Sequence, residues 1–84
     1  MATVILTAEA RRAFDKLRPP MRGRVAAVFE RLADWPRVSG AKPLTGELSG
    51  SFRVRTGDHR VVFSVKGEAV IITRIAIRRD VYED

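Results

Sequence analysis

The chain has 84 residues, room for one small core. It has no cysteine and one histidine, which excludes a disulfide framework and a thiolate zinc site. A formal charge of +6 points to polyanionic partners. Of sixteen basic residues only Lys16, Lys42 and Lys66 are lysine. Arginine suits phosphate, because its guanidinium fork can bond two oxygens at once. A GC-rich genome accounts for the bias as a whole, and binding for its clustering.

Ala2–Leu6 is rich in β-branched residues and predicts a first strand. Thr7 is the expected N-cap of a first helix, without the Glu or Gln of a capping box at Ala10. Ala10, Phe14 and Leu17 fall at helical spacing, with Glu9, Arg12, Asp15 and Lys16 outside. Pro19-Pro20 ends this helix and starts the next. Met21, Val25, Val28, Phe29, Leu32 and Trp35 form the apolar stripe of the second helix, which Pro36 stops. Arg18–Arg24 is read as a solvated helix start.

Residues 37–50 carry Pro43 and glycines and read as a connecting loop. Three strand-like runs follow, Phe52–Thr56, Arg60–Lys66 and Val70–Ile77, separated by Gly57-Asp58 and Gly67-Glu68. The expected fold is therefore α+β, in the order β-α-α-β-β-β. A helical hairpin covers one face of a small, mainly antiparallel four-stranded sheet, within a single domain over residues 1–84. No apolar stretch is long enough to span a bilayer, and Met1–Thr7 lacks the pattern of a signal peptide. A cytoplasmic protein without a membrane partner is expected.

The hairpin is the most informative segment. With Gly57-Asp58 as its turn, Thr56 pairs with His59 and Arg55 lies opposite Arg60. Arg53 and Arg55, two apart, leave one face. Opposed like charges destabilise a sheet, so the arrangement points to a nucleic acid.

Leu44–Phe63, with its Arg-x-Arg-x-Gly-Asp-x-Arg hairpin, and the ending Ile75-Ala-Ile-Arg-Arg-Asp-Val-Tyr resemble the RelE/ParE superfamily of toxins from type II toxin–antitoxin systems. The resemblance covers almost the whole chain. It implies a ribosome-dependent, metal-independent mRNA endoribonuclease, with no cofactor and the 2′-hydroxyl as internal nucleophile. It implies catalytic roles for Arg60 at the scissile phosphate, Arg78 at the leaving group and Tyr82 at the base or 2′-hydroxyl, with Arg55 beside them. Arg53, Arg79, Lys42 and His59 are the implied RNA-binding residues. A cognate antitoxin with an acidic, amphipathic segment is the implied partner, in a toxin–antitoxin hetero-oligomer. Two features depart from the RelE pattern. Arginines replace its hairpin lysines and cannot act as a base, and Ile77 stands where many relatives carry histidine. His59, Asp58, Glu47 and Lys42 are the alternatives for that base. A ParE-like poison of DNA gyrase and a degenerate antitoxin-binding co-repressor remain the rival readings.

Overall fold

The computed structural model describes residues 1–77; Arg78, Arg79 and Tyr82 lie outside the described residues. The elements are β1 (Thr3–Leu6), α1 (Ala8–Asp15), α2 (Met21–Leu32), β2 (Lys42–Pro43), β3 (Ser51–Thr56), β4 (His59–Lys66) and β5 (Ala69–Ile77). They form one five-stranded sheet in the order β1-β5-β4-β3-β2. All pairings are antiparallel except β1 with β5.

Local chemistry sets the helix ends. The Thr7 side chain accepts the Ala10 N–H at 3.1 Å, the expected N-cap. Both helices end earlier than their apolar stripes. Lys16 and Leu17 donate to Ala13 and Phe14, and Ala33, Asp34 and Trp35 to Glu30, Arg31 and Leu32. These i to i−3 bonds wind each last turn tighter than an α-helix, so Leu17 and Trp35 keep their packing outside the helix proper.

The main core lies between helices and sheet. Ala10, Val25, Val28 and Leu32 meet Val54, Val61, Phe63, Val70, Ile72 and Ile75. Trp35 packs edge-on against Phe52 and Phe63, with ring centroids 4.9 and 5.3 Å away.

Two features of the sheet depart from expectation. The segment 37–50, read as loop, contributes a fifth strand: Lys42 pairs with Arg53 and Pro43 with Phe52. Two residues show no period, and proline lacks a ladder donor, so this strand is legible only from its partner. The second departure is a β-bulge in β5. Val62 pairs with Arg74 and Phe63 with Ile72, leaving Thr73 as the extra residue. The Thr73 hydroxyl donates to the Val62 carbonyl at 3.3 Å.

Candidate nucleic-acid interface

The face of the sheet away from the helices carries the arginines. Its geometry begins with the turn: Gly57 has φ of +60° and Asp58 is not in the left-handed region, as a two-residue type II′ hairpin requires. That turn sets the expected register, with Thr56 opposite His59 and Arg55 opposite Arg60.

Two rows cross the strands side by side. One runs Lys42, Arg53, Val62, Arg74 and the other Arg55, Arg60, Ala76. Paired residues share a face, so five cations converge on adjoining rows. At α2's start, Arg24 Nη1 comes within 3.3 Å of where a Cβ on Gly57 would stand, so a helix arginine touches the hairpin turn. The sequence shows no such contact, because Arg24 and Gly57 are distant in the chain.

The arginines are not equally accessible. Arg55 and Arg74 are exposed, whereas Arg53 is 5% and Arg60 0% exposed. The face is not open throughout: Leu44 and Leu48 from the β2–β3 connection pack with Val62 and Ala76 in a second small cluster. Arginine stays charged in proteins, so Arg60 is a fixed positive charge beneath the surface rather than a solvated one.

The site residues divide. Arg53, Arg55, Arg60 and Lys42 come together, joined by Arg74, which sequence reasoning missed. Arg74 falls in phase with Val70 and Ile72, so strict alternation assigns it to the helix side; Thr-Arg beyond two isoleucines was the available signal. His59 faces the other way, one residue before Arg60. It lines a cavity of about 440 Å³ between α1 and the end of β5, with Glu9, Leu17, Arg74, Ile75 and Ile77. Its buried Nδ1 makes no hydrogen bond among the described residues. Among those residues no three histidine, cysteine or acidic side chains converge as a metal site would need. No described helix is long and apolar enough to cross a membrane.

Comparison with known proteins agrees with this architecture. The family model described as ParE toxin of type II toxin-antitoxin system, parDE, matches residues 4–82. Toxin RelG of Mycobacterium tuberculosis is 37% identical over an alignment of 83 residues that covers 95% of this chain and 94% of that protein. The solved toxin–antitoxin complex RelBE2 of the same organism contains a chain 30% identical, with a TM-score of 0.78 over 92% of this chain and 98% of that one. The isolated RelE toxin of E. coli shares the fold at a TM-score of 0.76 and 15% identity, covering 92% of this chain and 84% of that one. The chain belongs to the ParE toxin family, within the RelE/ParE superfamily of type II toxin–antitoxin toxins.

Proposed function

We propose that this toxin is a ribosome-dependent mRNA endoribonuclease whose arginine face holds the strand to be cut. The observation that carries the reading is the register of β2 to β5, which gathers Lys42, Arg53, Arg55, Arg60 and Arg74 on two adjoining rows. Such a field attracts a phosphate backbone, and a ribosome would present the message in an ordered form.

In the reaction, the 2′-oxygen bonds to the neighbouring phosphorus as the bond from phosphorus to the 5′-oxygen breaks. The 2′-proton leaves to a base and another proton reaches the 5′-oxygen, giving a cyclic phosphate and a 5′-hydroxyl. Arg55 binds the phosphate and Arg60 supplies fixed charge behind it, stabilising the phosphorane as negative charge builds. None of the hairpin arginines takes the 2′-proton. By resemblance, Arg78 is assigned to the leaving group and Tyr82 to the substrate nucleobase or the 2′-hydroxyl. The partner is an antitoxin whose acidic segment answers the net charge of +6.

Primer extension on mRNA from cells expressing the chain tests this. Codon-phased breaks should appear with the native chain and disappear with Arg55→Ala. A gyrase-directed reading is favoured by two observations: His59 alternates to the face opposite Arg55 and Arg60, and the matching family model is named for ParE. Intact mRNA beside broken chromosomal DNA would establish that rival.

A further inference from the structure

We infer that Arg74, swung onto the arginine face by the bulge at Thr73, is a further phosphate-binding residue of the toxin. The inference rests on the RNA-binding reading above and adds to it a contact at the opposite end of the row from Lys42.

The bulge decides where Arg74 stands. Val70 and Ile72 are buried on the helix side of β5, and strict alternation would continue with residue 74 on that side. Thr73 is instead left over between Ile72, paired with Phe63, and Arg74, paired with Val62. Residues 74–77 change phase with it. Ile75 joins Ile72 in the helix-side core, and Arg74 takes the face that holds Val62 and Ala76. The ladder is interrupted there, and the Thr73 hydroxyl bond to the Val62 carbonyl ties the irregularity down. Bulges characteristically re-aim a side chain in this way.

Ile75 alone does not explain it. An apolar residue at position 74 in a regular strand would fill the same side without the irregularity. The sequence instead places an exposed arginine there, so one row carries Lys42, Arg53 and Arg74 around a single valine. Lys42 and Arg74 lie three strand spacings apart, roughly 14 Å at 4.8 Å each. That is about the rise of four nucleotides, at roughly 3.4 Å each in a duplex strand. A single-stranded phosphodiester backbone laid across the sheet meets a cation at both ends of that row.

The test is salt-dependent binding of the full chain to a labelled single-stranded RNA oligonucleotide, read by fluorescence anisotropy. The native chain is compared with Arg74→Gln, Arg74→Lys and, on the exposed surface of α1, Arg12→Gln. Loss of one phosphate contact lowers the slope of log K against log salt by about 0.7 for a single strand. Arg74→Gln should show that loss in a chain that still melts cooperatively, to a similar extent for unrelated oligonucleotide sequences. Arg74→Lys should restore the slope, and Arg12→Gln should retain it. An unchanged slope in Arg74→Gln would overturn the inference while leaving the RNA-binding reading intact. An equal drop in Arg12→Gln would overturn it too, because binding would then follow diffuse surface charge. Failure of the native chain to bind RNA at all would overturn this contact, while codon-phased breaks in the primer-extension test would still carry the ribosome-dependent reading.

Discussion

Arg55 and Arg60 stand directly opposite one another on β3 and β4, one exposed and the other with no accessible surface. Opposed like charges are destabilising, on the scale of roughly 0.2–1 kcal/mol for a cross-strand pair. Arg55 therefore holds charge at the surface while Arg60 is built into the structure. Their substitutions should separate stability from function. Arg55→Ala is expected to leave the chain folded, with a smaller change in urea midpoint than Arg60→Ala, and to abolish toxicity in a growth assay. Arg60→Ala should lower stability by roughly 2–4 kcal/mol, the range for truncating a large buried side chain. A stable Arg60→Ala protein with native toxicity would contradict both roles.

Thr7 tests the first helix. Its side chain accepts the Ala10 N–H, so Thr7→Ala should cost about 1 kcal/mol by denaturant unfolding. Thr7→Ser should recover most of that loss. Equal stability of the native and alanine proteins would show that water replaces the cap.

The two hairpin turns offer a matched comparison. Gly57 and Gly67 have φ near +60°, where a side chain is strained. A Cβ on Gly67 meets nothing within 4 Å, whereas one on Gly57 would lie 2.7 Å from the Met21 Cε. Both alanine substitutions should destabilise by about 1 kcal/mol from the backbone. Gly57→Ala should cost little more, because the Met21 methyl is the free end of a flexible side chain and can swing aside. Thermal melts of the two single variants measure the difference.

The phase change in β5 has its own signature. Ile75 is a core residue, so Ile75→Ala should cost about 2–5 kcal/mol. Ile5, 47% exposed on β1, should lose less than about 1 kcal/mol on the same truncation. Comparable losses at the two positions would contradict the phase assigned to β5 after Thr73.

Most of the fold was legible because its signals are local. The apolar stripe of α2, the Thr7 cap and the glycine turns each act within a few residues. The turn between Thr56 and His59 also fixes a register, so the Arg55–Arg60 pairing followed from two residues of turn chemistry. The two-residue strand β2 was not legible, since it exists only by pairing with Arg53 and Phe52. Helix ends moved for a similar reason: packing of Leu17 and Trp35 continues the stripe after the α-helical bonds have tightened.

The sequence by itself determined the class of fold, the arginine hairpin and its register, because periodicity and turn geometry are properties of neighbouring residues. Only the tertiary structure decided which arginines are exposed and which face Arg74 takes. Burial depends on what the β2–β3 connection covers, and the phase of β5 on one extra residue opposite β4. Both are set by contacts between segments far apart in the chain, which no local pattern encodes.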